Sequence, residues 1–288
     1  MKLQIAGVVI ELQGITPELL PDNTRQFASS STLEPDVSYQ FHLQDELPVP
    51  DDSWRLLYQK ESISVYGKAD LELRLLFEPN YHTLYGVYVE RDDSHIDVYY
   101  ARVNTEELKI DTIFISCLSL ERHFARRSCY ILHCAFLAYR NQAILFSGPS
   151  GIGKSTHADL WCKHIADTHV VNGDRCLISR NPDGSYEANA WPVCGSSQIC
   201  HLDHYPIHAV VFMGQAPDNQ VRELSLMQQF QRLNMQLMVN HWNADATRKA
   251  MDWMLEFCQQ VTIKEYFCNM NPDAPMHLCQ NLGFDLEK

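Results

Sequence analysis

The sequence predicts an α/β protein with a β-rich N-terminal region, and three observations support this. The first hundred residues run in β-branched and aromatic stretches broken by turn residues. From Cys129 onward, strand-length apolar runs alternate with helix-length amphipathic ones. One junction in that alternation carries a glycine loop of defined spacing. Such alternation is the pattern of an α/β core.

The elements follow in order. Residues 2–12, 37–44 and 54–77 are rich in strand-forming side chains. Residues 84–102 read as a hairpin: Val87 and Val89 enter, Asp92-Asp93-Ser94 turns, and Ile96 and Val98 return. Pro21 to Pro35 and Pro48 to Asp52 read as loops. Asn104, with Glu107 three residues on, resembles a capping box and predicts one helix to about Arg127. Leu108, Ile115, Leu118 and Phe124 form its buried stripe. Arg122, Arg126 and Arg127 fall at its C-terminal end, where the helix dipole favours cations. Beyond it, strands are expected at 129–139, 143–147, 168–172, 208–214 and 261–267. Helices are expected at 154–166 and near 225–239 and 243–259. The change of pattern divides the chain into a β-rich region, 1–103, and an α/β core, 104–288.

Composition excludes several classes of function. Of 288 residues, 23 are Lys or Arg and 36 are Asp or Glu, a net charge of −13. Nucleic-acid binding requires basic stripes that displace counterions, and anionic membranes require a polybasic segment; the chain has neither. No apolar run approaches the roughly 20 residues of a membrane span. The opening MKLQIAGVVIELQG reads as a strand and not as a signal peptide. Ten cysteines without a CxxC pair read as reduced thiols, which predicts a cytoplasmic protein. His201, Asp203, His204 and His208 cluster in sequence, but Pro206 breaks the spacing a zinc site on a helix needs. A homo-oligomer is left open.

Gly148-Pro149-Ser150-Gly151-Ile152-Gly153-Lys154-Ser155 fits the phosphate-binding pattern GxxxxGK[ST] in full. A short buried strand precedes it, and a helix follows with Ala158, Trp161, Cys162 and Ile165 on one face. The glycines let backbone N–H groups turn inward, and the helix N-terminus adds about half a positive charge. The phosphate-binding set is therefore Gly148, Ser150, Gly151, Ile152, Gly153, Lys154, Ser155 and Thr156. Lys154 is placed for the β- and γ-phosphates of a nucleotide, and the Ser155 hydroxyl for Mg²⁺.

Two further residues enter by position. Asp174 ends the apolar run His169 to Asn172, twenty residues past Lys154. An acid there can hold Mg²⁺ or take a proton from an attacking hydroxyl. Asn172-Gly173-Asp174 is also good turn chemistry. His133 sits mid-strand, 21 residues before Lys154, as a core residue or a catalytic one. Arg175 is placed either to stabilise a transferred phosphoryl group or on the surface. Trp191 to Ser197 forms a glycine-bearing loop, read as a pocket wall or a tight turn.

With His133 in LHCAFLAYRNQAILFSGPSGIGKST and Asp174 in HVVNGDR, residues 129–180 resemble the HPr serine kinase/phosphorylase family. The resemblance implies a P-loop kinase core of the phosphoenolpyruvate carboxykinase-like type. It implies ATP and Mg²⁺ as cofactors, Asp174 as base and magnesium partner, and His133 near the phosphates. It also implies transfer of a γ-phosphoryl group to a hydroxyl on a peptide, protein or small molecule. The family's paired acids appear here as Gly173-Asp174. That departure leaves an alternative, a catalytically reduced nucleotide-binding accessory or scaffold protein.

Overall fold

The computed structural model describes residues 1–78 and 83–285, and these fall into two compact units. The first comprises Met1–His123 and His241–Ala244; the second comprises Phe124–Asn240 and the chain from Asp245. None of the described helices is long and apolar enough to cross a membrane.

Nine strands form the sheet of the first unit: β1 (Lys2–Ile5), β2 (Val8–Gln13), β3 (Ala28–Ser29), β4 (Val37–Gln44), β5 (Arg55–Lys60), β6 (Ile63–Lys68), β7 (Leu71–Phe77), β8 (Leu84–Glu90) and β9 (His95–Ala101). Their order is β3-β1-β2-β4-β9-β8-β7-β6-β5. The β2–β4 and β4–β9 ladders are parallel; the others are antiparallel. The 84–102 hairpin forms as expected, with Asp92 Oδ1 accepting from the backbone of Ser94 and His95 across its turn. A short helix α1 (Asp22–Gln26) interrupts the expected loop at Pro21 to Pro35.

The single helix expected over 104–127 is not formed. Arg102–Lys109 is a 3₁₀ segment, α2 spans Asp111–Leu118, Ser119 takes a left-handed φ of 48°, and α3 spans Leu120–Ala125. The Asn104 amide donates to Glu78 and Glu107 and caps nothing. Packing explains the departure. Helix α2 lies on the first sheet, where Phe114 stacks on Phe41 at 5.9 Å and Leu118 O accepts from the Tyr39 hydroxyl. These contacts bind residues 102–123 to the β-rich unit, so the compact units divide after His123 and not after residue 103.

The break at Ser119 turns Arg122 inward, away from the helix-end role that its sequence position suggests. Its guanidinium pairs with Glu90 at 2.6 Å and Glu72 at 2.7 Å. Arg74 pairs with Glu72 and Glu121. Trp242, from the 241–244 segment of this unit, donates to Glu72 and faces Arg74. Glu72, Arg74, Glu90 and Arg122 are all buried. Removing one member leaves a buried charge uncompensated. Arg122→Met should therefore cost about 3–5 kcal/mol of unfolding free energy in a urea titration.

The second unit carries β10 (Tyr130–Tyr139), β11 (Gln142–Ser147), α4 (Lys154–His164), β12 (Thr168–Asn172), β13 (Arg175–Arg180), β14 (Tyr186–Asn189), β15 (His204–Gln215), β16 (Gln220–Glu223), α5 (Leu226–Gln236), α6 (Ala244–Gln260), β17 (Thr262–Cys268) and α7 (Asp273–Asn281). The strands at 129–139, 143–147, 168–172, 208–214 and 261–267 and the three expected helices of this region are present to within a few residues. The sequence reading lacked β13, β14, β16 and α7. Strand β11 pairs with β10 antiparallel and with β15 parallel, and β15 pairs with β17 parallel. One core gathers Tyr139, Phe146, Trp161 and Leu278, joining α4 and α7 to the sheet. A second gathers Tyr130, Tyr186, Trp253 and Phe257 around α6.

His157 lies inside the first of these cores. It accepts from Trp161 Nε1 at 3.1 Å, and the rings of Phe146 and Tyr266 meet it edge-on. Burial pushes its pKa down to about 4. A depressed histidine stabilises the fold only while it is neutral. Its contribution is whole above the unfolded value near 6.5 and is lost as the pH falls toward 4. Between pH 7.5 and 4.5, the wild type should lose about 2–3 kcal/mol more stability than His157→Gln, read from paired denaturant titrations.

Candidate functional site

The glycine loop runs from the end of β11 into the first turn of α4. Gly151 has φ 79° and Gly153 φ 108°, conformations that side chains rarely adopt. Lys154 is buried; its ammonium donates to the carbonyls of Gly148 at 3.0 Å and Pro149 at 3.1 Å. Burial lowers its pKa, and the nearby Asp174 carboxylate works against that.

Asp174 and His133 come together through the pairing of one strand. The first half of β10, Tyr130 to His133, pairs with β13, and the second half, Phe136 to Tyr139, pairs with β12. The Gly173-Asp174 turn that links β12 to β13 must therefore lie against the middle of β10. There the Cys134 amide donates to Asp174 O at 2.9 Å. His133 Nε2 stands 3.5 Å from Asp174 Oδ1, and Arg175 Nε is 3.0 Å from Oδ2. His133 and Arg175 together hold the Asp174 carboxyl below its ordinary range, against the opposing effect of burial. On the loop side, Ser155 Oγ donates to Gly173 O at 3.4 Å.

Residues that the sequence reading did not single out fix this arrangement. Asn172 is wholly buried and uses both ends of its amide. Its Oδ1 accepts from the backbone N–H of Asp174 and of Arg175, both at 2.9 Å. Its Nδ2 donates to the carbonyls of Trp191 and Val193. Gln236, at the end of α5, places Oε1 3.1 Å from His133 Nδ1. The Asn-Gly-Asp turn signalled Asn172 locally. Nothing local signals Gln236, which lies 103 residues from its partner.

The loop over 191–197 touches the same turn at each step. Asn172 bonds to Trp191 and Val193, Gly173 abuts Ser197, and Asp174 abuts Gly195. A Cβ at position 173 would stand 2.1 Å from Ser197 Oγ and 2.4 Å from Ser197 Cβ. Position 173 has no room for a side chain, so a second acid is excluded there by packing. The other candidates behave as surface or structural groups. His201, Asp203, His204 and His208 form no metal cluster; none exists among the described residues. His204 instead pairs with Glu187, and His169 with Asp203.

The fold and the site define a mixed α/β protein with a strand–glycine loop–helix junction beside the Asp174 turn. Within that class, the chain belongs to the family described as SynChlorMet cassette protein ScmC, whose model matches residues 101–281. No curated protein sequence matches it. Among solved structures it is similar to the HPr(Ser) kinase/phosphatase from Coxiella burnetii, at 10% identity, over 53% of this chain and 93% of the other. The TM-score of that pair is 0.28, and at that level the likeness carries no argument about activity.

The packing account is testable by a double-mutant cycle. Gly173→Ala should cost about 1–3 kcal/mol in the native chain, as overpacking does, and much less beside Ser197→Gly. Equal costs in the two backgrounds, read from thermal unfolding, contradict it.

Proposed function

We propose that this chain is an ATP-dependent kinase that transfers the γ-phosphoryl group to a hydroxyl acceptor: a serine of a peptide or protein, or a small hydroxylated molecule. One observation supports this reading above the others. The Ser155 hydroxyl of the glycine loop meets the carbonyl of Gly173, the residue before a carboxylate held below its ordinary pKa range. In this reading a phosphate-binding loop and an ionised base share one site.

The roles follow from the groups present. The loop N–H groups of 150–153 and the Lys154 ammonium suit the phosphates of ATP. Ser155 and Asp174 offer hard oxygen donors, which suit Mg²⁺; that ion commonly takes one or two protein ligands beside the phosphates. Bound there, Mg²⁺ would supply neutralisation of charge on the phosphate oxygens. Asp174 takes the proton of the acceptor hydroxyl as its oxygen bonds to the γ-phosphorus. The bond between that phosphorus and the β–γ bridging oxygen breaks, and ADP leaves. His133 and Asn172 hold Asp174 in place. His133 is itself steadied by Gln236.

Gly173 is the observation that favours a second reading, a nucleotide-binding accessory protein, because the family's paired acids appear here as Gly173-Asp174. The two readings separate with γ-labelled ATP, Mg²⁺ and an extract of the source cells. Under the kinase reading, wild type labels a macromolecular or a small-molecule fraction. Lys154→Ala lowers that transfer by several powers of ten. Asp174→Asn still binds ATP but stops transfer. Nucleotide binding without transfer, in an extract shown to contain the acceptor, establishes the accessory reading.

A further inference from the structure

Beside the site lies a cleft of about 220 Å³, lined by Ile131, His133, Arg175 and the segment Met235–Met238. A pocket for a drug-sized ligand measures roughly 300–1,000 Å³, so this cleft suits a fragment such as one residue of a chain or a small metabolite. No residue of the glycine loop lines it. A separate recess of about 30 Å³ does touch the loop, at Gly148 and Pro149, and it shares Met235 and Gln236 with the cleft. The end of α5 thus lines both the loop side and the Arg175 side.

Arg175 is the charged group of this cleft. Its Nε is committed to Asp174 at 3.0 Å. Its two terminal amino groups have no hydrogen-bond partner among the described residues, and its side chain is 30% exposed. A guanidinium stays charged at every working pH and presents parallel N–H donors that match a carboxylate. The bond to Asp174 already fixes its orientation, so less freedom is lost when a ligand binds. The charge also sits directly beside the group read above as the acceptor's base.

We propose that this cleft seats the acceptor and that Arg175 binds a carboxylate carried close to the acceptor's hydroxyl. The inference rests on the kinase reading and narrows it: the acceptor is a hydroxylated carboxylate, either the end of a peptide chain or a free hydroxy acid. Arg175 acts on the acceptor, and the glycine loop and Lys154 act on the phosphates.

The test is calorimetric binding to the full chain, saturated with Mg²⁺ and a non-hydrolysable ATP analogue. Three probes are used: N-acetyl-methionyl-serine, the same compound as its carboxamide, and N-acetylserine. The carboxylate dipeptide should bind at least about tenfold more tightly than the carboxamide, as expected for one hydrogen bond to a charged group. Arg175→Gln should abolish that ratio, and Arg175→Lys should keep part of it. Arg180→Gln, which removes a surface arginine paired with Glu256, should leave it unchanged. A misfolded variant shows itself by a shifted thermal transition, and the wild-type ratio does not depend on any variant. N-acetylserine binding as well as the dipeptide marks a free hydroxy acid; weaker binding marks a chain end. Equal binding of carboxylate and carboxamide, or no binding of either while the nucleotide analogue is bound, overturns the proposal. Failure of the nucleotide analogue itself to bind overturns the kinase reading instead.

Discussion

Strand β10 is shared, and the candidate site depends on how it is shared. One edge pairs with β11. The other is divided between β13 along its first half and β12 along its second. A strand holds one partner per edge at each position, so the chain must leave β12 and enter β13 at the point of division. That point is the Gly173-Asp174 turn. The same strand carries His133 at the division and delivers the chain, through β11, to the glycine loop. Three groups separated in sequence are thereby brought to the middle of one strand.

Electrostatics at this point follow from few groups. Asp174 has a guanidinium on one oxygen and an imidazole facing the other, and Asn172 holds the N–H groups behind it. A carboxylate so surrounded is kept ionised although it is half-buried. The position next to it, Gly173, is closely packed as well. Ser197 presses on the turn so closely that residue 173 has no space for a Cβ. Asp174 therefore belongs to a well-packed turn.

The N-terminal unit poses a different physical problem. Its sheet buries two arginines and two glutamates among apolar side chains, with Glu121 at the edge of the group. Buried ion pairs seldom add net stability over a well-packed apolar core, but each member makes the others obligatory. The network ties the α2–α3 break and the 241–244 segment to one sheet. It thus explains why residues past 103 pack with the β-rich unit.

The sequence by itself determined the α/β character of the C-terminal part, most of its strands and helices, the glycine loop, and the two positions His133 and Asp174. These are legible because period, turn residues and motif spacing are local properties. It misread residues 104–127 as one helix, since Asn104 and Glu107 have local capping chemistry while the outcome was decided by packing of Phe114 and Arg122 on a distant sheet. It also left β13 and β14 unread; their pairing with β10, with each other and with β15 defines them. Only the tertiary structure set Asn172 between Asp174 and the 191–193 carbonyls, brought Gln236 to His133, and left Arg175 facing a cleft. Those contacts join segments that are far apart in the chain, and hydrogen bonds formed at such separations leave no periodic trace in the sequence.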